Sequence, residues 1–187
     1  MYINKIDGPS DSLLKDPVME PNKKSLYWYS FVIGIAMFQC AWAVVGNTQT
    51  APILIGKFGW DEQQAKFYNT MITAFPIIGL LFGGLVGGKI VTYGRSKTLL
   101  SMELLIIVAS LIQQYLSIPT LIAGRFLLGF GSGVMNVAVS KSLYETVPES
   151  LSGTFGTLTN LYACVGGLIA ALLGLILPHE PSLYKDD

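Results

Sequence analysis

Five long apolar runs, broken by short turns carrying Pro, Gly or charge, decide what this chain can become. A helix of roughly 20 apolar residues crosses a bilayer core of about 30 Å. Within that core a backbone satisfies its own N–H and C=O groups only as a helix or a closed barrel. The runs therefore predict an all-α membrane protein with five transmembrane helices. Span one is expected from about Leu26 to Gln49, ending before Pro52. Span two covers about Ala65 to Val91, with Asp61 and Gln64 spaced as a capping box and Pro76 inside it, where a kink is expected. Span three covers about Lys97 to Leu116 and closes at Ser117-Ile118-Pro119. Span four runs from Pro119 to about Val147, stopped by Pro148. Span five covers about Gly153 to Leu177, before Pro178.

Composition agrees with that reading and excludes several function classes. Hydrophobic residues make up 51% of the chain and charged residues 13%, against about a quarter charged in soluble domains. Lys+Arg and Asp+Glu balance at 12 each, so no net field draws the chain to nucleic acid. Cys40 and Cys164 lie far apart in apolar runs, which reads as membrane packing, not as a disulfide or metal framework. His179 sits among Pro178, Glu180 and Pro181 and reads as a loop residue. No nucleophile–base set, phosphate loop or metal-ligand cluster is present, so neither enzyme activity nor a cofactor is expected.

Residues 1–24 form a polar N-terminal tail that mixes Asp7, Asp11, Asp16 and Glu20 with lysines, unlike a signal or transit peptide. Residues 25–178 form the membrane domain and 179–187 a second polar tail. Orientation follows the basic residues. With the N-terminus cytoplasmic, or on the matrix side of an organelle, that side holds Lys5, Lys15, Lys23, Lys24, Lys89, Arg95, Lys97 and Lys141. The other side holds Lys57, Lys66 and Lys185, with Arg125 near its boundary. Glycines 79, 83 and 87 on span two, and Gly166, Ala170 and Gly174 on span five, form small-residue stripes suited to close helix contact.

Three stretches carry a resemblance to a known family. The turn after span two reads Gly83-Gly84-Leu85-Val86-Gly87-Gly88-Lys89-Ile90-Val91-Thr92-Tyr93-Gly94-Arg95-Ser96-Lys97. Span four opens Gly124-Arg125-Phe126-Leu127-Leu128-Gly129-Phe130-Gly131-Ser132-Gly133 and continues to Glu145, Pro148, Leu151 and Gly153. Span five opens Gly153-Thr154-Phe155-Gly156-Thr157-Leu158-Thr159-Asn160-Leu161. In this order they resemble the sugar-porter branch of the major facilitator superfamily, in its N-terminal half. Span one, with Gln39, Asn47 and Ala51-Pro52, is similar after a small shift. The resemblance implies a helical bundle of inverted three-helix repeats, the first triplet complete and the second with two members. Val91 stands where the family places Asp, Thr92 where it places Arg, and Ser152 where it places another Arg.

The resemblance also implies roles. Gly94, Arg95, Lys97 and Glu145 belong to a gate and turn motif at the cytoplasmic side, in which Glu145 pairs with Arg95. Asn160 stands where members commonly have a sugar-binding Gln. Gln39, Asn47, Arg125 and Asn160 are the candidate solute ligands. Each has a plainer alternative: Gln39, Asn47 and Asn160 as interhelical hydrogen bonds, Arg125 snorkelling to the interface, Glu145 as a solvated helix-end charge. A Lys97–Glu103 boundary ion pair is expected as well.

Two functions follow. A non-transporting accessory subunit of a larger membrane complex is the first expectation. Five spans do not enclose a path between two rocking halves, and the gate motif lacks partners at Val91 and Ser152. Its partners would be other membrane-protein subunits on the uncovered faces of spans two and five, together with lipids, and the mitochondrial inner membrane is one setting. The alternative is part of a transmembrane transporter for sugar or a similar small polar solute.

Overall fold

A computed structural model describes residues 23–48, 51–115 and 117–176. His179 and most of both polar tails lie outside the described residues. The elements are α1 (Lys23–Thr48), α2 (Ala51–Phe58), α3 (Glu62–Ile90), α4 (Arg95–Gln114), α5 (Ile118–Thr146) and α6 (Glu149–Ile176), with a 3-10 turn at Val91–Tyr93 between α3 and α4. All of these elements are helical. α1, α3, α4, α5 and α6 are each long and apolar enough to cross a membrane, matching the five expected spans. The chain is an integral, multi-pass, all-α membrane protein.

The helix ends differ from expectation in ways local chemistry explains. α6 starts one turn early, because the Pro148 carbonyl accepts hydrogen bonds from the N–H groups of Leu151 (2.9 Å) and Ser152 (3.0 Å). α3 begins at Glu62 and runs unbroken through Pro76. The Asp61–Gln64 capping box does not form: Asp61 has cap backbone angles but no side-chain cap hydrogen bond. Its main-chain carbonyl accepts from Ala65 N–H at 2.8 Å, and both side chains are exposed to water. The short helix α2 was not expected. Pro52 falls in its first turn, a position that needs no N–H donor. Leu54 of α2 buries against Ile72 and Leu121, flanked by Phe58, Trp60 and Ile122. Trp60 stacks between Phe58 (5.1 Å) and Tyr68 (4.8 Å), closing that end of the bundle with aromatic rings.

α5 is the hub. Its apolar window is 61% buried inside the bundle, against 22% to 33% for the other four spans. The cause is glycine on two of its faces. Gly129 and Gly133 face α3, where a Cβ would collide with the Pro76 and Leu80 carbonyls. Gly124 and Gly131 face Ala109, Gln113 and Ile106 of α4. In return, Gly79 and Gly83 of α3 admit the backbone of Phe126 and Phe130. Lipid offers no hydrophobic gain from helix association, so close backbone approach supplies dispersion contacts instead. Spans two and four thus run parallel, pressed together although span three separates them in sequence. α1 and α6 pair in the same parallel manner, Gly166 against the Phe38 carbonyl and Gly34 against the Tyr162 ring. Between the pairs, Cys40, Ile106 and Met135 join α1, α4 and α5.

Candidate functional site

The loop from α3 to α4 builds one end of the site. Gly94 adopts φ 129°, ψ 125°, a region in which side-chain-bearing residues are strained. Thr98 fixes the turn from the other side. Its hydroxyl lies 2.9 Å from the Gly94 carbonyl and 3.2 Å from the Ile90 carbonyl, and the residue is 3% exposed. This turn places Arg95 at the first position of α4. There its guanidinium donates to the carboxylate of Glu145, near the end of α5, at 2.7 Å. Both side chains keep about two-fifths of their surface. Lys97 is exposed. Val91, where the family pattern has Asp, is a buried apolar residue at 2% exposure. Of the two expected pairs, Arg95–Glu145 forms. The expected Lys97–Glu103 pair does not, since six residues along a helix turn the two side chains well away from each other.

The same end is bound by a small apolar cluster of Leu26 from α1, Leu143 and Val147 from the α5 end, and Phe155 from α6. The Thr146 hydroxyl reaches the Tyr29 hydroxyl at 3.4 Å. The starts of α1, α4 and α6 therefore gather at the bundle end where α5 stops.

The candidate solute ligands lie on three helices in three settings. Gln39 is half-buried on α1 and Asn160 is exposed on α6. Asn47 lies in the last turn of α1, its side chain outside the described residues. Arg125 is 3% exposed, so it does not snorkel outward. Its side chain lines a cavity of about 120 Å³ between α1, α3 and α5, with Val44, Thr73, Pro76 and Ile77. Glycine accounts for the depth: Arg125 lies about two turns inside α5, one turn before Gly129, where α5 approaches the Pro76 backbone of α3.

A second recess lies away from the residues that the family pattern marks as ligands. An open groove of about 610 Å³ runs beside the α3–α5 contact, with Leu80 and Gly84 on one wall and Asn136, Ser140, Tyr144 and Glu145 on the other. Its sequence signal was polar residues four apart within an otherwise apolar span. No group of three or more metal-binding side chains gathers among the described residues.

Comparison with known proteins fits this architecture. The family model for "Sugar (and other) transporter" matches residues 29–182. The chain is 30% identical over 175 residues to the facilitated trehalose transporter Tret1 of Polypedilum vanderplanki, covering 88% of this chain and 34% of that protein. It is 28% identical over 147 residues to hexose transporter 1 of Toxoplasma gondii, covering 73% of this chain and 26% of that one. With the probable plastidic glucose transporter 1 of Arabidopsis thaliana it shares 29% over 117 residues, 62% of this chain and 22% of the other. The chain thus spans about a third or less of these relatives. With five spans in the expected order and a family match over most of its length, the chain belongs to the sugar transporter family.

Proposed function

We propose that this chain forms part of a transmembrane transporter for sugar or a similar small polar solute, supplying first-half helices that work against a second bundle. The observation that carries this is the Arg95–Glu145 pair at 2.7 Å, tying the start of α4 to the end of α5. A pair that closes one end of a helical bundle biases the equilibrium between open and closed forms, and that equilibrium is what alternating access needs. The relatives it matches are named as trehalose, hexose and glucose transporters, which supports a carbohydrate solute. The distribution of basic residues supports an N-terminus on the cytoplasmic or matrix side in this reading.

The test is uptake by the assembly that contains the chain, purified from native membranes in mild detergent and reconstituted into liposomes. Saturable entry of labelled glucose or trehalose, lost on Glu145→Arg, is the expected result. An assembly that is intact by mass yet moves neither sugar overturns the reading.

One observation favours a second reading, a non-transporting accessory subunit. Val91 fills with a buried methyl pair the position where the family places an acidic gate residue. Under that reading the chain copurifies in fixed stoichiometry with an unrelated membrane complex, and the reconstituted complex shows no sugar flux.

A further inference from the structure

The start of α1 carries a groove that solute movement does not use. It measures about 470 Å³ and is lined by Lys24, Tyr27, Trp28 and Phe31. Spacings of three and four residues put all four on one helix face. α6 holds two of the rings in place. Tyr27 packs on Phe155 with centroids 5.5 Å apart, and Phe31 meets Tyr162 edge-on at 6.3 Å. Trp28 leans on Phe31 at 5.8 Å. Tyr27 and Trp28 nonetheless keep 64% and 68% of their surface, and Lys24 is exposed.

Depth separates their roles. The apolar stretch of α1 opens at Leu26, so Lys24 stands just outside the hydrocarbon, at headgroup level. Phe31 follows it along α1, about 10 Å deeper at 1.5 Å per residue. The groove therefore leads from the polar boundary into the acyl region. Trp and Tyr suit that boundary because each joins an apolar body to a polar N–H or O–H. Charge at this end of the bundle is mostly of one sign. Lys89, Arg95 and Lys97 are exposed there as well as Lys24, against Glu145, which Arg95 holds, and Glu149. Basic residues at a membrane boundary attract anionic headgroups.

We propose that this groove is a binding site for one anionic phospholipid. Lys24 takes the phosphate, and the Trp28 N–H and Tyr27 O–H donate to the phosphate or to the glycerol-ester carbonyls. The first part of an acyl chain lies along Trp28 and Phe31. A passage from cation to amphipathic ring to bare ring within about 10 Å matches the order of groups along a phospholipid, from headgroup through ester to chain. The site stands whether or not the chain moves a solute.

The experiment uses the full chain in its native assembly, reconstituted into phosphatidylcholine vesicles doped with a phosphatidylglycerol that carries a diazirine in its acyl chain. After irradiation, adducts are mapped by peptide mass. We expect labelling of Tyr27, Trp28, Phe31 and Tyr162 to exceed severalfold that of Leu104 and Leu111, which are exposed on α4. Unlabelled phosphatidylglycerol should compete, and added phosphatidylcholine should not. Lys24→Gln should weaken the labelling about fivefold, the effect of one basic residue at an anionic surface, while Lys24→Arg should keep it. Lys24 is exposed, so both variants leave the packing intact. Labelling no stronger than at Leu104 and Leu111 overturns the site. So does equal competition by phosphatidylcholine, or labelling indifferent to Lys24→Gln. Labelling that appears only after detergent dissociates the assembly means that protein covers the groove, and it removes the lipid.

Discussion

Arg95, the first residue of α4, and Glu145, in the last turn of α5, meet at 2.7 Å although two spans lie between them in sequence. With both side chains about 40% exposed, the pair is screened by water and contributes little to folding, about 0.2–1 kcal/mol for such exposed pairs. A double-mutant cycle of Arg95→Gln and Glu145→Gln, read by thermal unfolding in detergent, should give a coupling in that range that shrinks with added salt. Coupling several times larger would mean that the pair is dehydrated in the membrane.

The glycines of the α3–α5 contact should be sorted by what faces them. Gly83→Ala and Gly129→Ala each force a methyl into a backbone carbonyl of the partner helix, and overpacking of this kind costs about 1–3 kcal/mol. Gly84→Ala and Gly88→Ala meet nothing within 4 Å and should stay within about 0.5 kcal/mol, as surface changes do. Unfolding midpoints of the four variants check the contrast directly.

At the α3–α4 turn, Gly94→Ala should destabilise by about 1–3 kcal/mol, because φ 129° is strained for any residue with a Cβ. Thr98→Val keeps the shape but deletes the hydroxyl that binds the Gly94 and Ile90 carbonyls. A loss of about 0.5–1.5 kcal/mol is expected there. Combined, the two should fall short of additive, since both act on one turn.

Arg125→Ala removes a buried side chain from the wall of the cavity near Pro76. The loss of packing along its stem should cost about 1–3 kcal/mol, against less than about 0.5 for exposed Lys97→Ala. Equal midpoints for the two variants would mean that Arg125 reaches the interface after all.

The five spans were legible from the sequence because a bilayer imposes one length on any helix that crosses it, and Pro52, Pro119 and Pro148 punctuate the runs. Gly94, Arg95 and Glu145 were legible through their spacing in a family pattern, and the structure joins the last two. α2 was not: eight residues with a proline among them carry too few turns to show a period, and its burial depends on Ile72 and Leu121 from other spans. For Arg125 the sequence left two settings open, a solute ligand or a side chain snorkelling to the interface, and its 3% exposure speaks against the second.

Span number, helical character and membrane residence were determined by the sequence alone, because each depends on the summed transfer of one local segment between water and lipid. Which helices pair was decided only by the tertiary structure. A glycine marks a surface that another backbone can approach, but not whose. Gly129 found Pro76 across an intervening span, and the polar face of Asn136 and Ser140 became a groove wall only once α3 lay beside α5.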